Sequence, residues 1–281
     1  MFFYCTMDKQ YLGFKYQLSE MEHRYGKNIH ILQDPMAFTL LAQLCTPEAK
    51  HPQVYPLIQR LYQILLHAVV NQEFPRKPTR VATRMAAKHP REGAFTAELL
   101  DQEPQTVVVD LARAGTFPAH TCFETLQYLL NPQHIRQDHL MMSRTTNEAH
   151  QVTGAHSGGL KIGGSVENAY VLLPDPMAAT GSTMVEVLDL YKAGFGNSRA
   201  GKAKKYIALH LIVTPEYLKK VQAHHSDLQV YALRLDRGLS PPDILSSKLG
   251  ERWEFEKGLN GEQYIVPGGG GFGEILNNTD V

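Results

Sequence analysis

The stretch Ala169–Ala193, AYVLLPDPMAATGSTMVEVLDLYKA, holds the residue types and spacing best suited to chemistry. Its apolar start reads as a strand that delivers Asp175 at its carboxyl end. The loop Met177–Ser182 is made of small residues, and Thr183 opens a helix with Met184, Val187, Leu188 and Tyr191 on one face. Small residues and hydroxyls at a helix start leave backbone N–H groups free to meet an anion, and the macrodipole favours negative charge there. Each amide bond to a charged oxygen contributes roughly 1.5–3 kcal/mol. The loop fits neither GxxxxGK(S/T) nor GxGxxG, which argues against the standard ATP and dinucleotide cradles. A carboxylate at a strand end with an anion cradle a few residues on spans a sugar bearing a terminal phosphate. Asp175 would accept from ribose hydroxyls while the cradle holds the 5′-phosphate. Taken alone, the loop also fits a tight turn before a capped helix.

The elements around it alternate. Helical spacing covers Pro35–Leu44 and Val54–Val70, and the first clear strand is the apolar Thr106–Leu111, ending in the turn-like Ala112–Gly115. A helix is expected over Phe123–Leu130 and a strand near His139–Met142. The polar, glycine-bearing stretch 144–168 reads as an extended loop or β-arm. Strand Tyr206–Val213, helix Pro215–Ala223 and strand Leu228–Leu235 follow the Asp175 unit, predicting a mostly parallel α/β sheet covered on both faces. Ligands of such sheets bind beyond the carboxyl ends of the strands, where Asp175 lies. Residues 1–27 read as an extension packed on the surface or against a partner, and 237–263 as an insertion with a short helix or hairpin.

Composition narrows the function classes. The chain has 281 residues, and its 28 Lys+Arg balance 28 Asp+Glu. This argues against a protein that coats nucleic acid, while allowing a local anion pocket. A hydrophobic content of 43% is ordinary for a globular protein and too rich for disorder. No apolar run approaches the ~20 residues of a membrane span, and the opening MFFYCTMDKQYLG lacks a signal-peptide pattern. A cytoplasmic protein with no membrane partner is expected. Cys5, Cys45 and Cys122 lack CxxC spacing and suit a reducing compartment, with Cys122 an inert core thiol. The histidines include no HExxH, and His224-His225 reads as a solvated turn, so no metal cage built by the protein is expected.

VLLPDPMAATGST resembles the 5-phosphoribosyl-1-pyrophosphate (PRPP) signature of phosphoribosyltransferases, in the form found in the uracil phosphoribosyltransferase family, where Pro-Met follows the acid. Other segments match in the same order. Asn28–Pro35 resembles the family's opening segment, and Ala112–Gly115 its Leu-Arg-Ala-Gly loop. Arg144 stands where the family has an arginine after a strand. Lys161 lies 14 residues before Asp175, the family's spacing from its Lys-Leu-Pro arm to the acid. Tyr264–Gly268, YIVPG, reproduces its pyrimidine-binding motif.

The resemblance implies a type I phosphoribosyltransferase-like α/β fold: a mostly parallel central sheet flanked by helices, with an extended arm and a C-terminal hood. Its domain would cover 28–281, with the arm at 144–168, the insertion at 237–263 and a base-binding loop at 264–274. Ala178, Ala179, Thr180, Gly181, Ser182 and Thr183 would hold the 5′-phosphate, and Asp175 would orient the ribose. Arg113 and Arg144 would meet the pyrophosphate, where donors aimed at developing charge lower the barrier most. Lys161 would assist from the arm. Tyr264, Ile265, Gly270, Gly271 and Phe272 would bind the base, largely through main-chain groups. Mg²⁺ would arrive with PRPP. The implied activity is phosphoribosyl transfer to uracil, giving UMP and pyrophosphate, in a homodimer or larger even assembly.

The chain also departs from the family. Gly271 replaces an expected acid, Glu274-Ile275 an acid–arginine pair, and Phe38-Thr39-Leu40 the usual His-Lys-Leu. The family's Asp-Glu-x-Leu-Asn run appears as Asp236–Ser240. Two other readings therefore stand beside the first: a catalytically weak or silent relative that binds PRPP or a nucleotide as a sensor or regulator, and phosphoribosyl transfer to another base.

Overall fold

The computed structural model describes residues 8–146, 152–194 and 201–279; the side chains of 143–146 and 152–157 lie outside that description. Its centre is an eight-stranded sheet. The strands are β1 (Ile29–Ile31), β4 (Thr106–Ala112), β5 (Ile135–Thr146), β6 (Val152–Lys161), β7 (Tyr170–Pro174), β8 (Met177–Ala178), β9 (Lys205–Val213) and β10 (Gln229–Leu235). Their order is β1-β10-β9-β7-β4-β5-β6, with β8 beside β9. Every pairing is parallel except β5–β6. Strands β4, β7 and β9 are buried along nearly their whole length, which is why they read as continuous apolar runs.

Helices cover both faces. On one, α1 (Pro35–Leu44), α2 (Val54–Glu73) and α3 (Thr116–Leu126) bury residues such as Leu41, Leu61, Leu65 and Cys122 against Val108, Leu172 and Leu209. On the other, α4 (Ser182–Ala193) and α5 (Pro215–His224) bury Met184, Val187, Leu188, Tyr191 and Leu218 against Val107, Val109, Val171 and Leu173. All four residues expected on the inner face of α4 are buried. The sheet winds outward in opposite directions from β4 and β7, so α3 and α4 leave on opposite faces. The loops after these two adjacent strands diverge and leave a crevice between them.

Several elements differ from expectation. An antiparallel hairpin, β2 (Arg76–Ala82) with β3 (Ala94–Leu100), precedes β4 and stands apart from the main sheet. Its first strand carries Arg76, Lys77, Pro78 and Arg80, and it shows no apolar face to read. Helix α3 starts at Thr116, about two turns before the expected Phe123. Pro118 falls within its first turn, where an amide needs no helical partner, and the apolar Tyr128 beyond its end is exposed. The 144–168 stretch is a β-arm in its described part, with Arg144 of β5 opposite Ala155 of β6.

The 237–263 segment carries α6 (Pro242–Leu245) and one turn of 3₁₀ helix, with no hairpin. It docks on α5, where Glu216 accepts from the amides of Gly258 and Leu259 and the Trp253 indole donates to the Pro215 carbonyl. The extension does not stay on the surface throughout, because Tyr25 is buried and donates to Glu256, which also pairs with buried Arg237. His225 is buried rather than solvated, held by the Lys192 ammonium and facing Asp189. Cys122 is buried as expected, and burial pushes its thiol pKa up. No described helix is long and apolar enough to cross a membrane.

Candidate functional site

A cleft of about 610 Å³ opens at the carboxyl ends of β4 and β7 and is closed on its far side by the C-terminal segment. Its lining includes Arg113, Asp175 and the run Ala178–Thr183 on one side, with Tyr264, Ile265, Gly270, Gly271 and Phe272 on the other. Among the described site residues singled out from sequence, Lys161 is absent from this lining. Lys161 is exposed at the end of β6, opposite His139. Arg144 stands on β5, and its side chain lies outside the described residues.

The phosphate-sized end is shaped by main chain. Gly181 is the N-cap of α4 at φ +80° and has no side chain to cap the helix, while Thr180 Oγ1 accepts from the Ser182 amide at 3.4 Å. A Cβ at Gly181 would lie 3.3 Å from the Tyr217 carbonyl oxygen, so both backbone conformation and space call for glycine. First-turn amides at such a helix start can meet an anion. The loop's carbonyls are tied into the body: Thr214 Oγ1 donates to Ala179 O at 2.6 Å.

Asp175 has its own support. His210, buried in β9, approaches the Asp175 carbonyl through Nδ1 at 2.6 Å and the Tyr217 hydroxyl through Nε2 at 2.7 Å. A carbonyl can only accept, so Nδ1 carries the hydrogen and Nε2 accepts from Tyr217. Burial holds the His210 pKa down at about 4, keeping the ring neutral near pH 7. Lys220 of α5 donates from Nζ to Ser182 Oγ at 2.7 Å, placing a cation at the edge of the cradle. Neither His210 nor Lys220 carries a sequence signal, since each reaches the loop from a separate strand or helix.

The base-sized end is held by side chains. Asp236, buried, receives Arg234 Nε at 2.6 Å and Nη2 at 2.8 Å, and its Oδ2 accepts from the Gly268 amide at 2.7 Å. Arg234 Nη2 also donates to the Gly268 carbonyl at 2.9 Å. Tyr264 exchanges bonds with Asn260, and Val266 with Gly258 and Gly238. The loop's main-chain groups are thus mostly engaged up to Gly268. Among the described residues, no hydrogen bond uses the amides of Gly269, Gly270 or Gly271. These three amides remain available to a ligand. Phe272 is buried and anchors α7 (Phe272–Asn277) to the core, while Tyr264 is 39% exposed over the cleft.

The Arg113 side chain, half exposed, faces Glu274 of α7 at 3.5 Å (Nη2 to Oε1) and donates from Nη1 to Thr279 Oγ1 at 3.3 Å. Among the described residues no group of three or more metal-ligating side chains is present. The chemistry available is therefore an anion cradle, a carboxylate at the strand end, a mobile-length guanidinium between them and the C-terminal segment, and a pocket of free amides opposite.

Comparisons with known proteins agree with this geometry. The sequence model of the family described as uracil phosphoribosyltransferase matches residues 31–252. A uracil phosphoribosyltransferase of Thermococcus kodakarensis is 32% identical over 81 residues, covering 29% of this chain and 33% of that protein. One from Acinetobacter baylyi is 32% identical over 91 residues, covering 32% of this chain and 40% of that protein. The aligned stretches thus span well under half the length of these relatives. The solved structure of the AQ2163 protein from Aquifex aeolicus shares the fold at 18% identity, with a TM-score of 0.64, covering 90% of this chain and 99% of its own.

Proposed function

Because the chain belongs to the uracil phosphoribosyltransferase family, we propose that it transfers the phosphoribosyl group of PRPP to uracil, giving UMP and pyrophosphate. The observation that carries this reading is the cleft itself. It brings a glycine-led helix start, an acid at a strand end, an arginine loop and a glycine-rich amide pocket to one space.

In this reading the first-turn amides of α4 and the hydroxyls of Thr180, Ser182 and Thr183 hold the 5′-phosphate, with Lys220 adding charge. Ala178 and Ala179 shape the loop. Asp175 accepts from the ribose hydroxyls, its main chain fixed by neutral His210. The free amides of 269–271 face the base, and Tyr264 closes over the ribose. Arg113 and Arg144 meet the pyrophosphate, with Lys161 assisting from the arm. Mg²⁺ carried with PRPP would neutralise part of the pyrophosphate charge. The C1′–O bond to pyrophosphate breaks as a bond from uracil N1 to C1′ forms, and the N1 proton passes to solvent. The protein contributes position and stabilisation of the leaving charge, with no covalent intermediate. We place the reaction in the cytoplasm, on the sequence's lack of a membrane span or signal pattern and its sparse cysteines, and in an even homo-oligomer, on the family resemblance.

Incubation with PRPP, Mg²⁺ and each of uracil, cytosine, hypoxanthine and orotate tests the reading. UMP from uracil alone is expected, with turnover abolished by Asp175→Asn. Product from a different base would reassign the substrate, and PRPP binding without product from any base would make the chain a silent relative.

A further inference from the structure

A second cavity, of about 470 Å³, lies beside the phosphate end of the cleft, between α5 and the 257–263 loop. Thr180 of the phosphate loop and Gln263 line both spaces. The charged residues of the second cavity are Lys220, Lys257 and Glu216. Glu216 is already satisfied: the Gly258 amide donates to its two oxygens at 2.9 and 3.2 Å, and the Leu259 amide to Oε1 at 3.1 Å. Lys220 spends one N–H on Ser182 Oγ at 2.7 Å. The Lys257 side chain is exposed and, among the described residues, has neither a hydrogen-bond nor an ion-pair partner. Gln263 is held at φ +67°, a left-handed conformation that favours glycine. Asn260 enforces it, because its Oδ1 accepts from the Glu262 and Tyr264 amides at 3.0 and 2.9 Å and its carbonyl accepts from Gln263 N at 3.1 Å. Among the described residues no group bonds the Gln263 carboxamide. Strain of this kind collects at ligand sites.

We propose that this cavity is a subsite for a second phosphoryl group, joined to the 5′-phosphate in the cradle, so that the cleft takes a pyrimidine nucleoside 5′-diphosphate. This rests on the phosphoribosyl reading above, which places the 5′-phosphate at Thr180–Thr183. A phosphoryl chain that leaves the cradle past Thr180 meets the ammonium groups of Lys220 and Lys257 and the carboxamide of Gln263. The one carboxylate in that lining is bound to main-chain amides. Charge-assisted hydrogen bonds to a terminal phosphate are the strong kind, and an ammonium on a long stem follows such a group without a fixed fork. A nucleotide held this way fills the places of ribose phosphate and base together, and so excludes PRPP without reacting.

Calorimetric titration with UMP and with UDP in metal-free buffer reads the subsite. Wild-type protein should bind UDP about tenfold more tightly than UMP. Lys257→Ala should leave UMP affinity unchanged and remove most of the advantage of UDP. Lys219→Ala, an exposed neighbour on α5 outside the cavity lining, should leave that advantage in place. Both lysines are exposed, so neither variant threatens the fold. UDP bound no more tightly than UMP by wild type, an advantage that persists in Lys257→Ala, or an equal loss in Lys219→Ala would each overturn the proposal. Wild-type protein that binds neither UMP nor PRPP would instead remove the phosphoribosyl reading beneath it.

Discussion

The two ends of the cleft are built by opposite means. At the phosphate end, contiguous residues 175–183 form strand end, loop and helix start, and the groups offered to ligand are main-chain amides of one segment. At the base end, the loop 264–271 has no regular structure. It is held in place by Asp236 and Arg234 from the end of β10, by Gly238 and Gly258 of the insertion, and by Asn260. A site made by local geometry survives sequence change as long as its turn is kept. A site held by distant side chains depends on each of them. Of the departures from the family pattern, Gly271, Ile275 and the 237–263 segment lie at the base end and Phe38-Thr39-Leu40 on α1, while the phosphate loop keeps its form.

Removing the clamp should produce the largest effect. Asp236→Ala leaves the Arg234 guanidinium and the Gly268 amide without their buried partner, a loss of about 3–5 kcal/mol for a broken buried pair. Chemical denaturation should show that loss. At temperatures where the variant remains folded, base or UMP affinity should fall while PRPP affinity holds. Equal loss of both would mean that the two ends are not independently built.

The phosphate end has a pH signature. The His210 pKa lies at about 4 in the folded protein and about 6.5 in an unfolded chain. The unfolded state therefore binds the proton more readily, so this contribution to stability is complete above pH 6.5 and is lost progressively as pH falls towards 4. The full span is at most about 3 kcal/mol. Denaturation between pH 4 and 7 should show the slope, and His210→Gln should flatten it. A slope unchanged in the variant would place the titrating group elsewhere.

A smaller effect is expected at the cradle itself. Gly181→Ala forces a Cβ into left-handed backbone at a cost of roughly 1–2 kcal/mol, with the Tyr217 carbonyl 3.3 Å away. PRPP affinity should drop, and uracil or UMP ring recognition at 269–271 should not supply the difference. A variant that binds PRPP as wild type would move the 5′-phosphate off this loop.

The same contrast explains what was legible in the sequence. Strands β4, β7, β9 and β10 announced themselves because burial on both faces demands unbroken apolar runs. The phosphate loop was readable because strand, small residues and helix are contiguous. Hairpin β2–β3 escaped because its exposed charged residues leave no alternation, and α3 shifted because Pro118 looks like a breaker though it sits in the first turn. His210 and Lys220 reach the cleft's supports across the fold, so spacing along the chain carries no trace of them, and Asp236 was visible only as the first residue of the run matched to the family, without its clamp on Gly268. Gly271 read as a simple loss of an acid, and the structure places the Glu274 carboxylate beside it.

A crystal structure of the protein with UMP tests the joined cleft most directly. The 5′-phosphate oxygens should lie within hydrogen-bond distance of the amides of residues 180–183, the ribose hydroxyls should meet Asp175, and the pyrimidine should face the amides of 269–271 beneath Tyr264. UMP bound with its phosphate away from the start of α4, or with its ring outside the 264–272 pocket, would contradict the account.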